Sequence, residues 1–192
     1  NQRALRGVLT GAVGVVVFLS LIPIGYLFVR ASQKPFNESI KLLFRPKTLE
    51  VLATTATLVM CVIAITVTIG VLIASGLHFV RLPMRQILII PMVLPLAIPS
   101  YVFTYTWIAL VPEFSGFFAA GFILSITTLP YVILATLAGL RTIDTSQIEV
   151  ARSLGLTPVQ TFRRVVFPQV KGHISAGALL AALYTISDFG AV

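Results

Sequence analysis

Charged residues cut this sequence into long apolar runs: residues 7–29, 51–80, 86–112, 114–140 and 172–187 contain no Asp, Glu, Lys or Arg. An α-helix rises about 1.5 Å per residue, so roughly 20 such residues cross the hydrocarbon core of a bilayer. The first four runs clear that length, and each is expected to form a transmembrane helix. The fifth is closed by Asp188, and the sequence stops four residues later at Val192, before any polar flank appears. It is read as a fifth span in a piece of a longer polypeptide. The first run is too long for the apolar region of a signal peptide and lacks a small-residue cleavage site, so it counts as a span. The expected fold is an all-α membrane protein, a polytopic helical bundle of at least five spans. A first span and outer loop occupy 1–50, and a core occupies 51–192 with a polar loop over 141–171.

Inside the third run Pro91, Pro95 and Pro99 recur every four residues in IIPMVLPLAIPSYVFTYTW. Each removes a backbone donor and crowds the preceding turn, so the helix is expected to bend or unwind along one face. Irregular backbone within a membrane is tolerated only against protein or a water-filled cavity. Two readings stay open, a hinge or lining of a translocation path and a purely structural kink. Tyr101, Tyr105 and Trp107 fit an aromatic belt near the outer interface. Small residues four apart, Gly177 with Ala181 and Ala178 with Ala182, predict close helix packing, as do Gly7 and Gly11.

The polar loop breaks the pattern, because EVARSLGLTPVQTFRRVVFP, residues 149–168, sets three arginines between two charge-free runs. Ser146 followed three residues later by Glu149 has the form of a capping box, and Gly155 suits a left-handed helix stop. Thr157 is an expected N-cap with Pro158 at the first helical position, and a second helix runs to about Phe167, where Pro168 ends it. Val159, Phe162 and Val166 share one side of that helix, away from Arg163 and Arg164. The element predicted is a helix, a tight turn and an amphipathic helix at the membrane surface.

Composition agrees with the pattern: 57% of residues are hydrophobic and only 10% charged, with a mean hydropathy of +1.00. Soluble domains carry about 25% charged residues. The net charge of +8 is read through its placement. With the N-terminus inside, nine basic residues fall in inner segments, Arg141, Arg152, Arg163, Arg164 and Lys171 among them, and five in the outer loop between Arg30 and Lys47. That bias favours a cytoplasmic N-terminus and loop. Cys61 is a lone cysteine inside an apolar run and is read as a buried packing thiol. His78 and His173 have no second ligand at helical spacing, so they are read as interfacial and no metal ligand is assigned. Asp188 lies about 24 Å along the fifth span if that span begins near Gly172. It is either a helix-end residue at the outer interface or, with Gly190, a lining group at the outer mouth of a pathway.

A basic helix-turn-helix raises nucleic-acid binding, but two helices tethered to lipid at both ends lack the third that would bury their apolar faces, and no nucleic-acid partner is expected. A plain interfacial loop obeying the charge bias is the alternative from composition. The spacing Glu149, Ala151, Gly155, nine residues to Val165, then Phe167 and Pro168 resembles the EAA loop of bacterial ATP-binding-cassette importer permeases of type I, written E-A-A-x3-G-x9-I-x-L-P. Val150, Val165 and Phe167 depart from it but keep its apolar character. YTISDFGAV, LPLAIPSYVFTYTWIAL and IDTSQIEVARSLG are similar to the ferric-iron type.

That resemblance implies a coupling loop in which Glu149, Ala151, Gly155 and Pro168 serve contact with a cytoplasmic ATPase dimer. It implies three further partners: a second permease half, fused or homodimeric, an extracytoplasmic binding protein and the bacterial inner membrane. The cargo implied is ferric iron, with thiamine, phosphonate and oxyanion importers sharing the layout. Glu149 is open to a second reading as a helix-capping carboxylate. Pro91, Pro95, Pro99, Asp188 and Gly190 are pathway or gate candidates. The sequence contains no G-x-x-x-x-G-K-[ST] phosphate loop. ATP and Mg would therefore bind the partner ATPase, this chain carrying no cofactor and no enzymatic activity. A secondary transporter is the rival class, expected to show paired ionisable groups near the midplane.

Overall fold

A computed structural model describes residues 2–33, 40–41, 44–80 and 84–188. The elements that matter below are helical throughout: α1 (Gln2–Ser32), α2 (Pro46–Phe79), α3 (Arg85–Val93), a 3₁₀ turn (Leu94–Ala97), α4 (Ser100–Leu110), α5 (Phe117–Arg141), α6 (Thr145–Ser153), α7 (Pro158–Thr161), a π turn (Phe162–Val166) and α8 (Phe167–Ser187). Two compact units are present, Asn1–Ala53 and Thr54–Val192. In the first, α1 carries Pro23 within the helix, and the side chains described over 13–30 are all exposed, as lipid-facing residues would be.

Among the described residues three helices are long and apolar enough to cross a membrane, over Val13–Arg30, Pro46–Phe79 and Phe117–Leu140, and the bent pair of α3 and α4 makes a fourth if it is one span. The expectation of at least five spans is thus met only in part. The shortfall is α8, whose 21 residues include Lys171 and His173 near the start. A long apolar run interrupted by polar groups at its root lies in the position of a span without reaching the hydropathy of one.

α5 is the axis of the second unit. Of its apolar window 61% is buried, against 22% for α2, and its two sides feed two cores. One joins Ala74 and Leu77 of α2, Ile133, Leu137 and Leu140 of α5, Ile148 of α6, and Val166, Val170 and Ile174. The other joins Leu58 and Val62 to Ala120 and Leu124. Polar side chains enter these interfaces without orphaned hydroxyls where they bond back along their own helix: Ser125 donates to the Gly121 carbonyl at 2.6 Å, Thr127 to Ile123 at 2.8 Å and Thr128 to Leu124 at 2.7 Å.

The small-residue expectation holds where α8 crosses α5. A β-carbon at Gly177 would lie 2.9 Å from the Val132 Cα and 3.1 Å from the Tyr131 carbonyl oxygen. Only glycine lets the two backbones meet. Ala181 is fully buried on the same stripe. One turn-pair away, the His173 ring and β-carbon sit over Gly139, within 2.9 Å of where a β-carbon would stand. His173, expected at an interface with lipid headgroups, is therefore also a packing residue.

The three prolines break the third apolar run as expected, and more sharply than a kink. α3 and α4 meet at 94°. Pro95 opens the 3₁₀ turn, Ile98 is extended (φ −105°, ψ 120°), and Pro99 caps α4, its carbonyl accepting from Val102 at 3.0 Å and Phe103 at 3.2 Å. The 3₁₀ turn packs on α5, which gives the irregular backbone the protein cover it requires. Tyr101 and Tyr105 are exposed, in keeping with an interfacial belt, but Trp107 is not a free belt residue. Its ring packs against Phe103, Phe114 and Phe122 at centroid distances of 6.5, 6.0 and 5.5 Å. Cys61 is likewise corrected: it is exposed, on the wall of an apolar groove of about 320 Å³ with Ile65, Phe118 and Phe122. A residue on the outer face of a membrane helix is apolar because of lipid as readily as because of a core, and hydropathy does not separate the two.

Candidate coupling knuckle and its place in the fold

The stretch between α5 and α8 folds as a knuckle with a designed stop at each bend. Asp144, and not Ser146, caps α6: its Oδ1 accepts from the Ser146 N–H at 3.0 Å. The capping box expected from Ser146 and Glu149 is absent because Ser146 already lies inside the first turn. Glu149 falls one turn further on with its side chain exposed. α6 ends in a Schellman arrangement. The Leu156 N–H donates to the Ala151 carbonyl at 3.2 Å, and the Gly155 N–H to that of Arg152 at 3.0 Å. Gly155 holds φ +79°, the left-handed conformation expected of it. A true capping box follows: the Thr157 N–H donates to Gln160 Oε1 at 2.9 Å while the Gln160 N–H donates to Thr157 Oγ1 at 3.3 Å.

Pro168 does not end the second helix. α7 passes through the π turn into α8 without a loop, and Pro168 sits in the first turn of α8. The physical reason is that a proline near a helix start loses a donor the start does not need, whereas its ring would collide with a regular α-turn behind it. The π turn relieves that collision by widening, the Phe167 N–H reaching back to the Phe162 carbonyl. Where a stop was expected, the fold has a shaft.

Burial sorts the carried-over positions. Ala151 is 4% exposed and packs inward, so the close approach its size permits is to this chain's own π turn. A β-carbon at Gly155 would meet nothing within 4 Å, and Glu149 and Pro168 are exposed. The apolar stripe of the second helix differs from expectation: Val166 is buried and Phe162 half-buried, but Val159 is exposed, and Thr161 faces inward beside them. Val150, Leu154 and Val159 leave apolar surface outward. Val150, Leu154, Leu156 and Val165 border a shallow hollow between α6 and the π turn.

Glu149, Ala151, Gly155 and Pro168 are thus brought to one end of the bundle. Asp188 is about 30 Å away, 20 residues along the helix from Pro168. It is half-buried as the C-terminal cap of α8. Gly190 lies outside the described residues. Pro91 and Pro99 are exposed and Pro95 half-buried, at the break between α3 and α4.

The sequence reading missed two features of the knuckle. Asp144 was legible as an Asx cap two residues before Ser146. The second, a hydrogen bond of 2.9 Å between Gln169 and Gln147 across 22 residues, has no local signal.

The backbone N–H of Ser146, and after it the Ser146 side chain, hold the Asp144 carboxyl below its ordinary range. A depressed folded-state pKa means the cap supports α6 fully above the ordinary carboxylate range and is lost as pH falls through the folded value. Amide exchange protection at Ser146 and Gln147 is therefore expected to drop on acidification. In Asp144→Asn, which still caps, that drop should vanish; an unchanged pH dependence in the variant would contradict the assignment.

Residues 66–192 match the family described as binding-protein-dependent transport system inner membrane component. The chain belongs to that family. It is 35% identical over 171 residues to the Fe(3+)-transport system permease protein FbpB 2 of Haemophilus influenzae, covering 89% of this chain and 34% of the relative. It is 27% identical to the sulfate transport system permease protein CysT of Salmonella typhimurium, over 92% of this chain and 69% of the relative. A shorter match, 40% identical over 63 residues, covers 33% of this chain and 22% of the putative 2-aminoethylphosphonate transport system permease protein PhnU of the same species. The chain spans about a third of the length of the first of these relatives. The resemblance carried by residues 149–168 is borne out at the level of the family, and the chain is a multi-pass membrane permease component. The knuckle, the proline break and α8 all lie inside the family match, whereas α1 lies outside it.

Proposed function

We propose that this chain forms part of the permease of an ATP-driven importer, in which the knuckle of residues 144–168 docks on a cytoplasmic ATPase subunit and drives α8. One observation carries the reading: α7 is continuous with α8 through the π turn, with no loop between them to absorb a displacement. Helical backbone transmits force along its axis, so a push on α7 rotates or translates the root of a membrane helix by a similar amount. The exposed apolar residues Val150, Leu154 and Val159 supply the surface a partner would desolvate. Glu149, exposed beside them, is placed to meet a basic group across that contact.

The remainder of the assembly follows from the same reading. ATP and Mg are bound and turned over by two ATPase subunits, a binding protein delivers cargo from outside, and a second permease half completes the pore. The excess of basic residues in alternate connections supports a cytoplasmic N-terminus and knuckle. The proline break, with Pro91, Pro95 and Pro99, is a point at which a path lined by protein can flex, and Asp188 is a carboxylate near the opposite mouth. Ferric iron is the preferred cargo, supported by the similarity to the Haemophilus iron permease protein. A sulfate or phosphonate cargo is the second reading, favoured by the CysT and PhnU matches.

The test is capture of the ATPase by the full-length permease in detergent. Leu154→Glu places a charge where the partner desolvates apolar surface, and should weaken capture by about 10-fold or more. Ser115→Glu, exposed in the loop between α4 and α5, serves as a control that adds the same charge and leaves the knuckle unaltered. Equal capture by Leu154→Glu and wild type would contradict docking at this face.

A further inference from the structure

The Gln169 side chain spends both of its amide hydrogens at one place. Nε2 donates to the Val165 carbonyl inside the π turn at 2.8 Å and to Gln147 Oε1 on α6 at 2.9 Å. The first bond anchors the side chain one turn back on its own helix. The second bond then ties that turn sideways to the helix on the far side of Gly155.

The covalent route from α6 to α8 is not one helix: it turns at Gly155, held there by backbone hydrogen bonds to α6, and passes through a four-residue helix. Apolar packing of Ile148 against the Val166 cluster adds attraction but no fixed register, because such contacts are not directional. A hydrogen-bonded amide pair is directional.

We propose that Gln147 and Gln169 are positioning residues for coupling: their amide bridge straps α6 to the root of α8, so displacement of α6 reaches the membrane helix directly and not only through the Gly155 turn. This rests on the coupling role proposed above. Without the strap, α6 can slip against the π turn, and ATP is hydrolysed without cargo being moved.

The experiment uses the full-length permease with its ATPase and binding protein in liposomes, and reads ATP hydrolysed per substrate transported. Loss of one such bond shifts a slipped-against-engaged equilibrium by up to about 10-fold, so Gln147→Leu and Gln169→Leu should each raise that ratio several-fold. Gln147→Glu keeps an acceptor for Nε2 and should hold the ratio within about 2-fold of wild type. Because the two side chains act on one bond, the double leucine variant should be no worse than the worse single. A wild-type ratio in Gln147→Leu, or losses that add in the double variant, would overturn the strap. If Gln169→Leu fails to accumulate, the Gln147 pair decides alone, since that residue is exposed on α6. A wild-type complex whose transport needs no ATP would remove the coupling role and the strap together; tight coupling that survives Gln147→Leu would remove the strap alone.

Discussion

Gly177→Leu is expected to abolish most of the folded permease. The added β-carbon would meet the Val132 Cα at 2.9 Å, the Ala135 β-carbon at 3.1 Å and the Tyr131 carbonyl oxygen at 3.1 Å. Two of these are backbone atoms of a helix whose side chains fill both cores, so they cannot move aside as a flexible side chain would. Overpacking of this kind costs about 3 kcal/mol, the upper end for well-packed sites, and leucine's remaining carbons add to it. The α5 and α8 axes must separate, and with them Gly139 and His173 lose their contact. Gly172→Leu, on the same helix with open space around it, should stay within about 0.5 kcal/mol of wild type. Thermal unfolding of the purified full-length variants in detergent reads the difference. Equal midpoints for the two would contradict the close crossing of α5 and α8.

Much of this arrangement was legible in the sequence because membrane proteins write their fold in charge. Runs free of charged residues located α1, α2, α5 and the broken third element, and the prolines spaced by four located the break itself. Turn chemistry is local, so Gly155 and the Thr157–Pro158 start were readable from two or three residues each. Three things were not. Hydropathy does not say which side of a helix faces protein, and so Cys61, Val159 and Trp107 were assigned the wrong neighbours. A proline reads as a stop when only its missing donor is considered; at Pro168 the chain widens into a π turn and continues, which depends on packing of Val166 and Val170 into the core. The Gln147–Gln169 bond joins residues 22 positions apart, and only the tertiary fold brings them together. The site inherited the same division. The knuckle's bends were visible, whereas the inward turn of Ala151 and the tie to α8 required coordinates.

In the proposed coupling, a rigid bend at Gly155 lets a separate motor act on the membrane helices. Gly155 is the position where backbone and function can be separated, because it has φ +79° and no neighbour within 4 Å of a β-carbon. A β-branched side chain there meets strain of about 1–3 kcal/mol from its own backbone, while its β-carbon meets no neighbour. Asparagine tolerates the left-handed conformation and serves as the matched control. The measurement is ATP-driven uptake into liposomes by the full-length permease complex carrying each variant, normalised to the amount of folded permease. Gly155→Val is expected to lose uptake by about 10-fold or more, the equivalent of the strain energy expressed at the bend, while Gly155→Asn retains most of it. Uptake by Gly155→Val equal to that of wild type would mean the bend transmits nothing, and the coupling role of the knuckle would be wrong.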